Sequence, residues 1–279
     1  MRIFGLDFTS APSKRKPLTL ASATLTDGVL RPESVEAMPS FKGFEALLER
    51  VGPWVCGMDF PFGQPLKLIE NLNFPMDWQA YVELVEGMGK REWVATVDRY
   101  VQGREPGDKL HFRDIDRLAG AQSPMKMYFI PVGRMFYEGA RRLAASEVSV
   151  MPNRPTEDPR TVVEVYPALV ARRFVGRGSK YKSDDKTQQS DEAVAKRWAI
   201  VDTLMVECES VYGFGLELNP SDKHALVEDP TGDHLDALLC AVQAAWAYTM
   251  RHKRYGMPPD VNPLEGWIVD PELLEKYHG

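Results

Sequence analysis

The sequence is poor in cysteine, and the few cysteines it has are not spaced for zinc binding or disulfide exchange. Its three cysteines, Cys56, Cys208 and Cys240, lie far apart among apolar neighbours, and no C-x-x-C pair occurs. The spacing excludes a zinc knuckle and a redox pair. It predicts three small, buried, apolar side chains instead.

Long apolar runs and common nucleotide or esterase motifs are also missing. No run approaches the roughly 18 apolar residues that a membrane span needs. The first segment, MRIFGLDF, becomes acidic at Asp7 after a short apolar stretch, which is unlike a signal peptide. We therefore expect a cytoplasmic protein with no membrane partner. The absence of a G-x-x-x-x-G-K-[ST] loop and of a G-x-S-x-G elbow excludes P-loop and hydrolase-elbow chemistry.

An excess of positive charge is absent as well. The 279 residues include 34 Lys and Arg against 40 Asp and Glu, for a net charge of −6. Overall charge therefore predicts no bulk affinity for nucleic acid, because phosphate contacts need local cations. Local basic clusters do occur, at residues 14–16, 172–186 and 251–254. Only cations that fold onto one face can act together.

The hydrophobic pattern predicts an α/β fold. Strands are expected at residues 2–8, 18–25, 29–37, 54–58 and 162–165, with Asp27-Gly28 as a hairpin turn. Helical spacing of apolar residues predicts helices at 41–51, 124–146, 191–212 and 232–251. The simplest organisation is a single domain over residues 1–279, with a tail at 256–279 that packs back because Trp267 would otherwise lie in water.

Residues 64–111 interrupt this pattern as a helical insertion. Trp78 and Trp93 each begin a run of apolar residues at helical spacing. The charged residues of the insertion include Lys90, Arg91 and Arg99. We expect the insertion to supply substrate contacts, or to form a helical cap, rather than to contribute to the core.

Three of the predicted strands carry an acidic residue at or near the carboxyl end: Asp7, Asp59 and Glu164. In open α/β sheets, ligands bind beyond the carboxyl ends of parallel strands. One acid in such a position commonly caps a turn. Three acids in the same topological position indicate a site, because buried carboxylates need a compensating cation.

A fourth acidic element opens the predicted helix at 232–251. Asp233 and Asp236 are three residues apart and share a face. Thr231 or Asp233 can cap the helix start, whereas Asp236 lies a turn inside an almost wholly apolar helix and is the better metal ligand. His234 points elsewhere and is expected to be structural. Clustered carboxylates suit Mg²⁺ or Mn²⁺, and two such ions can activate water for phosphodiester hydrolysis.

These segments, taken in order, resemble the ribonuclease-H-like superfamily. The resemblance rests on Gly5-Leu6-Asp7, on Gly57 to Pro61, on Glu164 to Pro167 and on Asp233 to Leu238. More narrowly, they are similar to a family of predicted nucleases catalogued as domain of unknown function number four hundred and twenty-nine. Arg113 to Arg117, Tyr181-Lys182 and Glu265 to Ile268 are similar to minor motifs of that family.

The resemblance implies a five-stranded mixed sheet in the order 3-2-1-4-5, with helices on both faces. It implies a nuclease that uses Mg²⁺ or Mn²⁺ and has a nucleic-acid substrate. The expected catalytic residues are Asp7, Asp59, Glu164 and Asp236, and the expected metal ligands are these four and Asp233. The expected substrate contacts are Arg113, Lys180 and Lys182.

Two other functions stay open. A non-catalytic module that binds nucleic acid or protein could keep the same fold, and titration with Mg²⁺ would separate it from a nuclease. A phosphotransferase is the second alternative, since sugar kinases share the sheet. That function needs two copies of the fold and glycine-rich phosphate turns, and Asp7 to Ser10 lacks such glycines.

Overall fold

The computed structural model describes residues 1–183 and 189–278. The strands are β1 (Arg2–Asp7), β2 (Leu18–Thr26), β3 (Val29–Met38), β4 (Trp54–Met58), β5 (Ser149–Met151), β6 (Arg160–Glu164) and β7 (Gly215–Leu216). The helices are α1 (Phe41–Leu48), α2 (Leu66–Asn71), α3 (Trp78–Gln102), α4 (Asp114–Ala119), α5 (Val132–Ala144), α6 (Pro167–Val175), α7 (Asp191–Tyr212), α8 (Pro220–Glu228), α9 (Asp233–Thr249) and α10 (Pro271–His278). A 3-10 helix, Arg251–Gly256, follows α9.

All seven strands form one mixed sheet, in the order β5-β6-β4-β1-β2-β3-β7. The α/β class is confirmed, but five strands was too few. The pattern missed β5 and β7 because each has only two or three residues, too short for alternation to be visible. The turn between β2 and β3 has left-handed Asp27 and Gly28 (φ 52° and 72°), as its Asp-Gly sequence predicts.

Two glycines of the sheet allow α9 to lie directly against it. A methyl group on Gly5 of β1 would lie 2.2 Å from the Ala237 oxygen and the Ala241 nitrogen, and one on Gly57 of β4 would lie 2.6 Å from the Cys240 oxygen. Such contacts are far inside van der Waals separation, so a side chain at either position would push the helix away. Because α9 is fixed against β1 and β4, its first turn is fixed near their carboxyl ends.

The inserted segment at 64–111 shares the core of the domain, which corrects our expectation. Trp78 and Trp93 of α3 are buried and belong to the same hydrophobic cluster as Phe4 of β1 and Met58 of β4. Arg91 and Arg99 lie on the exposed face of α3, whereas Lys90 is half-buried and forms an ion pair with Glu138 at 2.8 Å. The helix is broken at Gly89, which has a φ of 78°.

The C-terminal segment contacts the end of β6. Ile268 forms a parallel bridge to Glu164, and the Val269 nitrogen donates to the Glu164 carbonyl oxygen at 2.9 Å. Trp267 is buried with 4% of its surface exposed. None of the helices in the described ranges is long and apolar enough to cross a membrane.

Candidate functional site

Asp7 and Asp59 lie side by side at the carboxyl ends of two neighbouring parallel strands. β1 and β4 pair Leu6 with Met58, and each acid is the next residue along its strand. The Asp59 nitrogen donates to the Leu6 carbonyl oxygen at 3.0 Å, which extends the ladder into the site. The register of the sheet therefore fixes both carboxylates at one edge.

The first turn of α9 brings two more acids to the same edge. Asp7 follows Gly5 by two residues, and Asp236 precedes Ala237, the residue that packs on Gly5. Both Asp233 and Asp236 are buried, with 6% and 1% of their surfaces exposed. The close packing of α9 on β1 therefore assembles an acid cluster of Asp7, Asp59, Asp233 and Asp236.

Burial and mutual repulsion disfavour ionisation in this acid cluster. Burial raises the pKa of Asp7 well above its usual value, and Asp236, Asp233 and Asp59 add to the effect against the opposing charge of Lys182. Burial followed by the charge of Asp236 raises the pKa of Asp59 to about 7. The pKa of Asp233 is raised as well, again mainly by burial. The carboxylates of the cluster thus outnumber the cations beside them, and desolvated like charges destabilise each other.

Asp233 does not cap its helix, which corrects one of the two interpretations left open by the sequence. The capping residue of α9 is Gly232, which has no side chain that could accept a hydrogen bond from the first turn. Asp229 accepts from the His234 nitrogen at 3.0 Å, and Thr231 receives a long bond of 3.4 Å from the Asp233 nitrogen. The Asp233 carboxylate is therefore left for the cluster.

Asp236 has two partners from a loop that the sequence did not connect to it. The Tyr181 hydroxyl donates to Asp236 Oδ1 at 2.6 Å, and the Lys182 ammonium forms an ion pair with Asp236 Oδ2. The Lys182 ammonium also lowers the pKa values of Asp7 and Asp59 through its charge. Lys182 is therefore a cation placed among the carboxylates.

Glu164, the third strand-end acid, is held in a different way. Arg113 donates to Glu164 Oε1 at 2.6 Å and to Oε2 at 2.8 Å, and the Phe62 nitrogen donates to Oε2 at 2.9 Å. Arg113 also contacts Asp116 at 2.7 Å, one turn along α4. We call Arg113, Asp116 and Glu164 the ion triad; each has at most 2% of its surface exposed.

The motif Glu265 to Ile268 belongs to the same network. Arg113 donates to the Glu265 carbonyl oxygen at 2.7 Å, and Glu265 Oε1 accepts from the Leu66 nitrogen at 2.6 Å. Gly266 has a φ of 81°, and a methyl group there would lie 3.2 Å from Glu164 Oε2. These residues therefore brace Glu164, although their distance in sequence gave no sign of it.

The three expected substrate contacts have different surroundings. Arg113 is buried in the ion triad, so its contact with substrate stays a prediction. Lys180 is exposed and, with Lys182, lines a cavity of about 330 Å³ in front of α7. Lys186, the last residue of the basic stretch at 172–186, lies outside the described residues.

The oxygen atoms of these carboxylates are suitable ligands for a divalent metal, but the side chains are not positioned around a common point. Asp7, Asp59, Asp233 and Asp236 offer the hard oxygen donors that Mg²⁺ prefers. Within residues 1–183 and 189–278, however, no group of three or more His, Cys, Asp or Glu side chains is placed to hold a metal ion. Lys182 and Arg113 engage two of the expected ligands. A metal at these residues would have to replace the Lys182 ammonium.

A cavity beside the acid cluster gives access to Asp59 and Glu164. It has a volume of about 120 Å³, and its walls include Ile130, Met135 and Tyr166. Tyr166 follows β6 in the sequence and was not among the expected site residues. The only signal in the sequence was its position in the Glu164 to Pro167 motif.

The comparisons with known proteins bear on family and not on activity. No curated protein and no solved structure matches the chain. Residues 16–262 match the family described as Protein of unknown function (DUF429). This range includes Asp59, Glu164, Asp233 and Asp236 of the site. Because the match covers most of the chain, the protein belongs to that family.

Proposed function

We propose that the protein is a Mg²⁺- or Mn²⁺-dependent nuclease of the ribonuclease-H-like type. The observation that carries this proposal is the acid cluster, in which four carboxylates converge at a sheet edge beside one lysine. Structural acids have no need to crowd there, since crowding raises their pKa values and destabilises the ionised fold. Such placement is typical of functional sites.

The arrangement of strands supports the finer assignment of the fold. Within the larger sheet, β3, β2, β1, β4 and β6 are consecutive neighbours. β2 is antiparallel to β1 and β3, whereas β4 is parallel to both β1 and β6. These pairings support the five-strand arrangement that the resemblance implies, and under this proposal β5 and β7 are additions at its two edges.

The residues have distinct proposed roles. Asp7, Asp59 and Asp236 would hold the metal, with Asp233 beside them. A bound Mg²⁺ would activate water and stabilise the leaving oxygen of a phosphodiester. Lys182 would leave Asp236 when metal binds and could then contact a substrate phosphate. Glu164, fixed by Arg113, would keep the wall of the cleft in place.

The test compares variants in a cleavage assay on single-stranded, duplex and branched DNA and RNA with Mn²⁺. Asp7→Asn and Asp236→Asn should each abolish cleavage while the proteins stay folded by circular dichroism. The matched control is Asp98→Asn on the exposed face of α3, which should cleave as the wild type does. A wild type that shows no metal-dependent cleavage on any substrate would contradict the proposal.

A non-catalytic binding module is the second candidate, and the ion triad favours it. One of the four expected catalytic acids, Glu164, already has two charge-assisted bonds from Arg113. Calorimetric titration with Mg²⁺ separates the two functions. A heat of Mg²⁺ binding that is present in the wild type and absent in Asp7→Asn supports the nuclease. A wild type that gives no heat of Mg²⁺ binding supports the binding module.

A further inference from the structure

A second pocket, rich in arginine, lies where the ends of α4 and α6 meet α10. It encloses about 300 Å³. The charged residues that line it are Arg117, Arg172, Arg173, Arg177, Glu272 and Lys276. We call it the basic pocket. Five cations against one carboxylate is a strong local excess in a chain whose net charge is −6.

Some of this charge is already neutralised. Arg173 contacts Asp270 at 3.2 Å and Glu272 at 3.3 Å, and Lys276 contacts Glu272 at 2.5 Å. By contrast, Arg117, Arg172 and Arg177 form no ion pair with any residue in the described parts of the chain. Three cations of the pocket are therefore open to an anion.

Helix ends account for only part of this excess. Arg172 donates to the carbonyl oxygen of Ala119, the last residue of α4, and Arg177 lies over Gly120, where a methyl group would come within 2.7 Å of its Nη2. The negative end of a helix is equivalent to about half a unit charge. The carboxyl-terminal ends of α4 and α6 together offset about one unit of the positive charge of the three arginines, and about two units stay uncompensated.

One aromatic ring, that of Tyr166, lies between the basic pocket and the cavity beside the acid cluster. The Arg172 guanidinium lies 5.2 Å from the centre of the Tyr166 ring. The same Tyr166 lines the cavity that contains Asp59 and Glu164. A chain of phosphates that passes the acid cluster could therefore continue over Tyr166 into the basic pocket.

We infer that the basic pocket binds backbone phosphates of the nucleic-acid strand that is cut at the acid cluster. This assignment rests on the proposed function. Guanidinium groups match phosphate oxygens through paired N–H donors, which suits Arg117, Arg172 and Arg177. An acidic cleft repels a polyanion, so a strand needs cations beside the cleft to hold it in place.

The test measures binding in EDTA, where metal-dependent cleavage does not occur. A fluorescent single-stranded oligonucleotide is titrated with the wild type, with Arg117→Glu/Arg177→Glu, and with Arg251→Glu/Lys253→Glu. Both pairs are exposed and make the same change in charge, but the control pair lies in the 3-10 helix after α9. Pyrophosphate serves as a competitor that carries phosphate without a strand.

The pocket variant should bind the strand about tenfold more weakly at about 0.1 M salt, and its salt slope should fall by about 1.4, or about 0.7 for each lost phosphate contact. The control should change affinity by less than about threefold. An unchanged affinity and slope, or a wild type that binds no strand, would overturn the inference. A pocket variant that binds the strand as the wild type does but no longer binds pyrophosphate would also overturn the inference. A wild type that binds but never cleaves with Mn²⁺ contradicts the nuclease proposal and leaves this site standing.

Discussion

Glu164 and Asp7 both end a buried parallel strand, and burial raises the pKa of both carboxyls, but the charged groups beside them differ. Glu164 has two bonds from Arg113 and one from the Phe62 backbone. Within the described residues, Asp7 receives no comparable bond, and its nearest charges include three other acids and a single lysine. The ion triad is built for stability of the fold, whereas the acid cluster is left short of positive charge. Two different charge environments therefore lie at the same edge of one sheet, and the predicted role of Glu164 as a metal ligand stays a prediction.

The largest effect should come from breaking the ion triad. Arg113→Met leaves Glu164 and Asp116 buried without their cation, which should lower the free energy of unfolding by about 3–5 kcal/mol. Unfolding in urea measures this. Arg99→Met is the control, because the Arg99–Glu92 pair is more than half exposed on both sides and such exposed pairs contribute little to stability. A similar loss in the two variants would show that Arg113 is not a structural cation.

Relieving the acid cluster should have the opposite sign. Asp59→Asn keeps the shape of the side chain and removes one charge, so in EDTA it should stabilise the protein by about 0.5–2 kcal/mol. With Mg²⁺ the gain should shrink or reverse, because metal bound to the folded state stabilises the wild type. Thermal melting measures both. A variant that melts below the wild type in EDTA would identify Asp59 as a structural hydrogen-bond acceptor.

The gain from Asp59→Asn should also depend on pH. The pKa of Asp59 is raised to about 7 in the fold, against about 3.9 in an unfolded chain. Between these values the folded state binds more protons, so the wild type loses stability as pH rises through this window. The gain should be absent below about pH 4 and complete above about pH 7. The matched control is Asp98→Asn, which removes the same charge from an exposed position.

The smallest effect should come from Lys182, whose ammonium forms an ion pair with Asp236 of the acid cluster. Lys182→Met removes one of the two partners of Asp236, but the Tyr181 hydroxyl still donates to that carboxylate. Because the side chain of Lys182 is also 38% exposed, the loss in EDTA should be about 1 kcal/mol or less. The same change removes a competitor of the metal, so Mg²⁺ should raise the melting temperature more than in the wild type. Lys180→Met is the control. An equal response to Mg²⁺ in all three proteins would argue against displacement of Lys182 by metal.

Much of the fold could be predicted because its signals are local. The bounds of β4 and α7 and the turn at Asp27-Gly28 follow from apolar periodicity and turn chemistry within a few residues. Short strands such as β7 and the core role of α3 could not be predicted in this way. A two-residue strand is too short to show an alternating pattern. An amphipathic helix such as α3 has the same sequence pattern whether its apolar face packs on the main core or on a separate cap.

The sequence by itself determined which residues end the buried strands and open the apolar helix, because strand ends and helix starts are local properties. It thereby determined Asp7, Asp59, Glu164, Asp233 and Asp236 as candidate site residues. Only the tertiary structure decided their charge environment. Electrostatic interactions depend on distance in space and on burial, and Arg113 lies 51 residues from Glu164 in sequence while Lys182 lies 54 from Asp236. The packing of α9 on Gly5 and Gly57 fixes the place of the site, and the positions of those two cations give Glu164 and Asp236 their ion-pair partners.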